Sequence, residues 1–295
     1  MKRVLFVYNP VAGKGKVKSS LGDIVDCFME NGYLVTLCHT RELEKFYSLI
    51  DFEGDYFDRV VCSGGDGTLS MLISFFMKNN IHKPIGYIPA GSTNDYAYSV
   101  GISGDFMEAT RLAVTGQPSP VDIGMLNEKY FLYVAAFGMF TKVTYSTPQE
   151  IKNVLGHTAY VLEGMKSLQD IMGYPLTIEI DGVEHKDNFI LGMVTNSLSV
   201  GGFHKILPKD SMMDDGQFEM IFIRELKKPL ALTETIAALL NDRLDSCPHI
   251  LYAKSSRVRV IFDEEIDWIV DGEYGGSHRE VEIKNLKQKQ SIICE

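Results

Sequence analysis

The first 95 residues repeat one local pattern four times, and this repetition constrains the fold more than any other feature. Each repeat begins with a short, continuous apolar run and then passes into a loop with Gly, Asn or Thr. After the first three runs, apolar residues recur at helical spacing. Strands that alternate with helices are typical of a parallel sheet with right-handed crossovers. The four predicted strands are Val4–Tyr8, Tyr33–Cys38, Arg59–Cys62 and Pro84–Pro89.

The loops that follow these strands predict a binding site. In a parallel α/β sheet the carboxyl ends of the strands open on one edge, and ligands bind in the crevice there. Four independent surface turns would have no reason to follow four successive strands, so their convergence favours a functional interpretation. The loops are Asn9–Gly13, Thr40, Gly64–Thr68 and Gly91–Asp95.

The loop Gly64-Gly-Asp-Gly-Thr68 carries one carboxylate among three glycines. Glycines let backbone N–H groups approach an anion closely at the start of a helix. Asp66 would repel a bare phosphate, but a divalent cation between the two groups would make the pair favourable. The stretch therefore indicates a metal–nucleotide site; a plain tight turn is the alternative.

The second half of the chain has a different pattern. Period-two alternation bounded by turn residues is typical of half-buried antiparallel strands, and it predicts a β-sandwich or barrel. Two helical segments, at about 156–171 and 229–240, interrupt the strands. We therefore predict an α/β domain at residues 1–124 and an antiparallel β-sandwich domain at 125–295, whose last few residues are free to return to the first domain. The predicted strands are Leu176–Ile180, Phe218–Phe222, Arg257–Phe262 and Val281–Ile283.

Composition limits the classes of partner and the compartment. A formal net charge of −10 argues against a general nucleic-acid partner and gives no overall attraction to anionic membranes. No apolar run approaches the roughly 20 residues of a membrane span. The apolar run at the start of the chain is too short for the hydrophobic region of a secretory signal peptide. Five cysteines without a C-x-x-C pair favour reduced thiols in the cytoplasm.

Several phosphate-handling mechanisms are excluded by their missing motifs. The chain has no G-x-x-x-x-G-K-[ST] loop, no His-Arg-Asp catalytic loop and no Asp-Phe-Gly, which excludes P-loop and protein-kinase chemistry. Its seven histidines show no metal-ligand spacing, so single ones such as His39 and His204 are expected to be structural or exposed.

Seven motifs in a fixed order resemble those of a lipid kinase family that includes the soluble bacterial diacylglycerol kinases and the sphingosine kinases. Each motif alone is weak, but the ordered set is specific and covers nearly the whole chain. The motifs are Asn9-Pro-x-Ala-Gly13, Gly64–Thr68, Gly91-Ser-Thr-Asn-Asp95, Val121–Gly124, Asn196–Phe203, Asp214–Gly216 and Asp271-Gly-Glu273.

The resemblance implies an N-terminal nucleotide-binding α/β domain and a C-terminal β-sandwich domain, with ATP and lipid meeting between them. It implies that Mg²⁺ and its waters are ordered by Asp66, Asp95 and Asp122, with help from Asn94. The residues that it assigns to ATP are Asn9, Pro10, Val11, Ala12, Gly13, Lys14, Thr40, Gly64, Gly65, Asp66, Gly67, Thr68, Leu69, Ser70, Thr93, Asn94 and Asp95.

The resemblance also assigns Glu273 as the general base that takes the proton from the lipid hydroxyl. Phosphoryl transfer needs positioning and charge neutralisation, and a carboxylate within hydrogen-bond reach can accept the proton of the attacking alcohol. Asp271 is a second candidate in the same motif, and Asp66 completes the predicted catalytic set. The alternative for Asp271-Gly272 is a plain turn.

Asp215 and the carbonyl of Gln217 resemble part of a structural cation site in the family. The position three before Asp215 is Met212, which offers no carboxylate, so a solvated acidic turn is the alternative. Tyr98 and Glu163 stand where relatives often carry Arg and Lys, and both changes remove positive charge. Lys14 or Lys16 remains available for phosphates.

Three functions are open at this point. The favoured one is a cytoplasmic lipid kinase that uses Mg·ATP at the membrane surface as a peripheral protein. Diacylglycerol is the favoured substrate because Ser199-Val-Gly-Gly-Phe203 resembles the soluble bacterial diacylglycerol kinases, and sphingoid bases, ceramide and other lipid alcohols stay open. The others are an NAD kinase-like enzyme and a catalytically silent nucleotide or lipid sensor. A homodimer through an edge of the sandwich is a further expectation.

Overall fold

The computed structural model divides into two compact units, each of which is described by itself. Unit 1 comprises Met1–Ile123 and Lys287–Glu295, and unit 2 comprises Gly124–Leu286. The predicted helix at 156–171, with Glu163, lies outside the described residues, as do Phe203 and His204. The structure describes residues 1–47, 56–138, 172–202, 207–208 and 211–295.

Thirteen strands are found in the described part of the chain. They are β1 (Lys2–Tyr8), β2 (Tyr33–His39), β3 (Arg59–Gly64), β4 (Ile85–Pro89), β5 (Gln117–Leu126), β6 (Lys129–Phe131), β7 (Val134–Gly138), β8 (Tyr174–Ile180), β9 (Val183–Thr195), β10 (Phe218–Arg224), β11 (Ile250–Ser255), β12 (Arg257–Val270) and β13 (Glu273–Cys294).

Seven α-helices lie in the same described ranges. Short 3-10 turns at Ala12–Gly15, Thr40–Glu42 and Leu244–Ser246 supplement them. The helices are α1 (Lys16–Ser19), α2 (Leu21–Glu30), α3 (Leu43–Tyr47), α4 (Asp66–Lys78), α5 (Asp95–Ser99), α6 (Phe106–Thr115) and α7 (Pro229–Leu240).

The sheet of unit 1 has the strand order β2-β1-β3-β4, followed by the end of β13. All of these pairings are parallel, and Ile292 of β13 pairs with Ile85 of β4. Val4 to Val7 of β1 have no exposed surface, because helices cover both faces of a parallel sheet. The carboxyl ends of β1 to β4 consequently lie at one edge.

Helices pack on this sheet through apolar faces. Phe28 of α2 meets Phe6 of β1 edge to face, with ring centroids 5.5 Å apart. The helix α6 comes so close to β4 that a Cβ atom on Gly86 would lie 2.6 Å from the carbonyl oxygen of Ala113. Only glycine fits that contact, so it fixes the spacing between helix and sheet.

Unit 2 is built from antiparallel pairs. β9 pairs with β7, β8 and β10, while β12 pairs with β7, β8 and β13, so that β7, β12, β8 and β9 close a cycle of pairings. The aromatic rings of Phe137 and Trp268 lie 5.0 Å apart in a core to which every one of these strands contributes. Burial of such large side chains is the main source of stability in a sheet of this kind.

Two hairpins of unit 2 turn through Asp-Gly pairs. Asp181 and Gly182 join β8 to β9 with φ angles of 50° and 79°, and Asp271 and Gly272 join β12 to β13 with 49° and 84°. Positive φ at both central residues is the type I′ geometry, whose twist matches that of the flanking strands. Asp and Gly are residues that tolerate this conformation.

No helix in the described ranges is both long and apolar enough to span a membrane. The five cysteines are all free thiols, and four of them are buried.

Candidate active site

Three loops of unit 1 meet at the carboxyl edge of its sheet. The N–H of Asn9, just after β1, donates to the carbonyl of Ser63 at 2.9 Å, and the N–H of Ala90, just after β4, donates to the carbonyl of Gly64 at 2.7 Å. A Cβ atom on Gly13 would lie 3.1 Å from the carbonyl oxygen of Ala90. These contacts join the loops that follow β1, β3 and β4.

Gly65 and Gly91 hold two of these loops in backbone contact. A Cβ atom on Gly91 would lie 2.8 Å from the Cα atom of Gly65 and 2.7 Å from Oδ1 of Asn94. The same Oδ1 atom accepts the N–H of Gly91 at 2.7 Å. Glycine at both positions lets the two backbones touch with no side chain between them.

The loop after β1 adopts a run of left-handed residues. Gly13, Lys14 and Gly15 have φ angles of 60°, 55° and 88°, and Lys14 is exposed. A left-handed conformation is uncommon for a residue with a side chain and is often found at functional sites. The ammonium of Lys16 lies 4.7 Å from the ring centroid of Phe106, so Lys14 is the better placed of the two lysines to meet a phosphate.

Asp66 joins the start of α4 to the start of α5. Its Oδ2 accepts the N–H of Asp95 at 3.0 Å, and its Oδ1 accepts the N–H of Tyr96 at 3.3 Å. The carboxylate thus supplies acceptors for N–H groups that a helix cannot satisfy at its own first turn. Asp95 is buried, and Asn94 begins α5 with a φ angle of 55°.

Asp122 lies in β5 and has no exposed surface. Its Oδ1 accepts the N–H of Gln288 at 2.8 Å, and Gln288 has a φ angle of 51°. This bond ties the returning end of the chain to unit 1.

Asp66, Asp95 and Asp122 carry the carboxylate oxygens that are predicted to hold the metal. Within the described residues, no three His, Cys, Asp or Glu side chains gather closely enough to hold a metal by themselves. Mg²⁺ usually takes one or two carboxylates, several waters and substrate phosphates rather than a full protein cage. Carboxylates are thus the residue type that suits a magnesium ion shared with a bound phosphate, and the role of these three as its ligands stays a prediction.

The other residues predicted for this site differ in accessibility. Leu69 is fully buried in α4, so its side chain supports the helix, and only its backbone can face a ligand. Thr93 is exposed, Ser70 is half-buried, and Thr40 begins a 3-10 turn directly after β2. Pro10 and Ala12 are half-buried, whereas Val11 is 70% exposed in the same loop.

The thiols near the site are not candidate nucleophiles. Burial, with a smaller contribution from Glu42, raises the pKa of Cys38 at the end of β2 to about 11. Burial also raises the pKa of Cys62 in β3 far above its ordinary value. Since the thiolate is the reactive form, both residues behave as small apolar core groups at neutral pH.

Asp271 in unit 2 is buried and accepts three backbone N–H groups. Its Oδ2 takes the N–H of Leu132 at 2.6 Å, and its Oδ1 takes those of Tyr133 and Val134 at 2.9 and 3.1 Å. Glu273, two residues later, is exposed at the start of β13. The two acids of one motif thus have opposite environments, and the catalytic roles of both stay predictions.

The turn predicted to hold a structural cation is fixed by hydrogen bonds within unit 2, and the cation itself stays a prediction. Oδ1 of Asp215 accepts the N–H of Gln217 at 2.8 Å, and the carbonyl of Gln217 accepts from the side chain of Asn285 at 3.2 Å. Met212 is 54% exposed and contributes no oxygen. Tyr98, the other departure within the described residues, is 52% exposed on α5.

Sequence reasoning missed the residues that act through their backbone. Predicted site residues accept backbone N–H groups from Tyr96, Gln288 and the segment Leu132–Val134. A residue with almost any side chain could supply such an N–H group. Their identity therefore leaves no signal in the sequence. The positive φ of Gln288 is likewise a conformation that its residue type does not indicate.

Two family models together match most of the chain. The model described as the diacylglycerol kinase catalytic domain matches residues 3–126, and the model described as the YegS C-terminal NAD kinase beta sandwich-like domain matches residues 134–284. A catalytic α/β part followed by a sandwich-like part defines the class of protein: it is a lipid kinase. The predicted order of the two parts is confirmed.

Curated relatives give the family. The chain is 33% identical to a diacylglycerol kinase of Bacillus subtilis (strain 168) over 278 residues, covering 94% of this chain and 91% of the relative. It is 30% identical to a diacylglycerol kinase of Staphylococcus aureus (strain MRSA252), covering 93% and 87%. The chain belongs to the diacylglycerol kinase family, and the resemblance seen in its motifs is confirmed.

Solved structures show the same fold. A crystal structure of a diacylglycerol kinase from Bacillus anthracis str. Sterne matches with a TM-score of 0.75 and 22% identity, covering all of this chain and 97% of that one. A second crystal structure from the same organism matches with a TM-score of 0.82 and 24% identity, covering 100% and 95%.

Proposed function

We propose that this lipid kinase transfers the γ-phosphoryl group of ATP to the hydroxyl of diacylglycerol, giving phosphatidic acid, as a peripheral protein at the cytoplasmic membrane surface. The observation that carries the proposal is the 33% identity to the Bacillus subtilis diacylglycerol kinase over 94% of the chain. The contacting loops of unit 1 support the nucleotide part, and the exposed carboxylate of Glu273 supports the catalytic part.

The loops of unit 1 are assigned to the phosphates of ATP. Gly64, Gly65 and Gly67 lie near the start of α4, where the helix dipole favours negative charge. The Asn9–Lys14 loop contributes through Gly13 and Lys14, because the N–H groups of Asn9, Val11 and Ala12 already donate within unit 1. Lys14 adds a positive charge at the same loop. Thr40, Thr68, Ser70 and Thr93 offer hydroxyl groups from the other loops of this edge.

Asp66, Asp95 and Asp122 are the residues that would hold Mg²⁺. When bound, the ion neutralises charge on the β- and γ-phosphates during transfer. Hydrogen bonds from Asp95, Tyr96 and Gln288 fix the orientation of two of these carboxylates before any ligand arrives. Such fixed orientation reduces the ordering that binding must provide.

Glu273 is proposed as the general base. Its carboxylate accepts the proton of the lipid hydroxyl while that oxygen forms its bond to the γ-phosphorus and the bond from the γ-phosphorus to ADP breaks. Glu273 is exposed, so its carboxylate is accessible to a substrate hydroxyl.

A substrate panel tests the proposal. The protein is incubated with γ-labelled ATP, Mg²⁺ and phosphatidylcholine vesicles that contain diacylglycerol, sphingosine or ceramide, and separately with NAD. We expect label in phosphatidic acid only from the diacylglycerol vesicles. Label in sphingosine phosphate, ceramide phosphate or NADP instead would replace diacylglycerol as the substrate, and no label in any product would overturn the proposal.

A further inference from the structure

Asp271 is placed to organise the turn that precedes Glu273 rather than to meet a substrate. Asp271 is only 4% exposed, and the two oxygens of its carboxylate accept three backbone N–H groups. A carboxylate that accepts several backbone N–H bonds is held in one orientation.

The partners of Asp271 come from a distant part of unit 2. Leu132, Tyr133 and Val134 join β6 to β7, and Leu132 lies 139 positions away in sequence. The N–H of Asp271 in turn donates to the carbonyl of Val134 at 2.9 Å. The turn and this segment are therefore bonded in both directions.

Tyr133 extends the connection to a third segment. Its carbonyl accepts the hydroxyl of Thr195 at 2.8 Å and the N–H of Asn196 at 2.9 Å, while its N–H donates to Asp271. Asn196 begins the Asn196–Gly202 segment, which carries one of the seven motifs. The backbone of one residue, Tyr133, thus connects that motif to the turn of Asp271 and Glu273.

We propose that Asp271 is a positioning residue for the phosphoryl transfer: its buried carboxylate fixes the turn that carries Glu273 against the backbone of Leu132–Val134. The inference rests on the proposed role of Glu273 as the base. The type I′ turn places Glu273 opposite Val270 as the first pair of the β12–β13 hairpin, so any shift of the turn moves the base. Misplacement of a catalytic group by about 1 Å can reduce the rate by about 100-fold.

Asp271→Asn is the sharpest variant, and Asp181→Asn is its matched control. Asn tolerates positive φ, so the turn geometry is kept, but its amide nitrogen replaces one of the two oxygens that accept N–H groups. Asp181 begins the other Asp-Gly turn with nearly the same φ angle, 50° against 49°, yet it is exposed and accepts a serine hydroxyl. The control therefore has the same chemical change without the three backbone bonds.

We expect Asp271→Asn to lower kcat about tenfold or more while the KM for ATP stays within about twofold. The remaining activity of Asp271→Asn should fall at low pH as the activity of the wild type does. The activity left in Glu273→Gln should not show this fall. Hydrogen exchange should become faster at the amides of Leu132, Tyr133 and Val134. Asp181→Asn should match the wild type in all three measurements.

Wild-type kcat with unchanged exchange in Asp271→Asn would overturn the inference. A pH dependence lost in Asp271→Asn would also overturn it, because Asp271 would then be the base. If the variant does not fold, Thr195→Val decides: loss of the hydroxyl bond to Tyr133 should speed exchange in the same segment and lower kcat, and no change in either would overturn the inference. A wild type inactive on every lipid would refute the proposed function, while the exchange result would still test the holding role of Asp271.

Discussion

At the scale of single residues, glycines decide how closely the loops of unit 1 approach one another. Gly91 has no space for a side chain between the backbone of Gly65 and the amide of Asn94. Overpacking of this kind costs about 1–3 kcal/mol, because backbone atoms must shift.

We expect Gly91→Ala to lower the free energy of unfolding by about 1–3 kcal/mol and to weaken ATP binding. Urea denaturation and an ATP titration measure the two effects. The control is Gly104→Ala, since a Cβ atom on Gly104 would meet nothing within 4 Å. Equal ATP affinity in the two variants would mean that the Gly65–Gly91 contact does not shape the nucleotide site.

Glu273→Gln removes the proposed base and keeps the shape of the side chain. General bases contribute about 100- to 10,000-fold to rates, so we expect a loss of phosphoryl transfer in that range with ATP affinity unchanged. Glu280→Gln, another exposed glutamate on β13, serves as the control. Normal turnover in Glu273→Gln would remove this residue from the mechanism.

Glu219 is a buried acid outside the proposed site. Burial is the main cause that raises its pKa, and attraction to Lys254, whose Nζ lies 3.4 Å from Oε1, offsets part of the effect. Because the pKa is raised in the folded state, the ionised form of Glu219 lowers the free energy of unfolding at pH values above that pKa. This destabilisation disappears as the pH falls towards the pKa of glutamate in the unfolded chain, about 4.3.

Glu219→Gln should therefore raise Tm at pH 7.5, and the gain should shrink towards pH 4. Thermal unfolding at several pH values measures this dependence. Exposed Glu184, whose pKa is lowered by its hydrogen bond to Lys186, is the control with the opposite sign: Glu184→Gln should bring no gain. A Tm for Glu219→Gln below that of the wild type at pH 7.5 would contradict the assigned cost.

Residue types that carry chemistry could be predicted, but their backbone partners could not. Asp66 and Asp271 belong to recognisable motifs, and the structure places both in hydrogen bonds with N–H groups. The donors lie 29 and 139 positions away from them. A backbone N–H carries no residue-specific signal, so only the folded chain shows such pairs.

At the scale of elements, a side-chain cap fixes where the helix α6 of unit 1 begins. Oδ1 of Asp105 accepts the N–H groups of Met107 and Glu108 at 3.0 and 2.9 Å, which starts α6. The helix then packs on β4 through the close contact at Gly86.

We expect Asp105→Ala to lower the free energy of unfolding by about 1 kcal/mol, since two N–H groups lose their acceptor. Urea denaturation measures the loss. Asp23→Ala changes an acidic residue in the first turn of α2 that is not a cap, and a few tenths of a kcal/mol are expected there. Equal losses in both variants would argue against the capping role.

Element prediction succeeded where the pattern was local. The helical spacing at 229–240 corresponds to α7 at Pro229–Leu240, and the run Phe218–Phe222 lies within β10. Only Val281–Ile283 was predicted of β13, which extends from Glu273 to Cys294. The rest of β13 is rich in exposed charged and polar residues, so its strand conformation depends on pairing with β12 rather than on apolar alternation.

At the scale of the whole molecule, the change of pattern near residue 124 marks the division of the chain. The sequence predicts domains at 1–124 and 125–295, and contacts divide the chain at Ile123 and Gly124. The sequence allows the last residues to return to the first domain but does not predict it. A short terminal strand is recognised only from the strand with which it pairs, and for Lys287–Glu295 that pairing is seen only in the folded chain.

The central claim is that the loops at the carboxyl edge of unit 1 bind the phosphates of ATP. Hydrogen exchange of the whole protein, with and without Mg·ATP, tests it most directly. We expect slower exchange in the segments Asn9–Gly15, Gly64–Thr68 and Gly91–Asp95. Bound phosphate accepts N–H groups there, and binding restrains the local opening of those already bonded within the protein, such as those of Asn9 and Asp95. Unchanged exchange in these three loops at saturating Mg·ATP would contradict the claim.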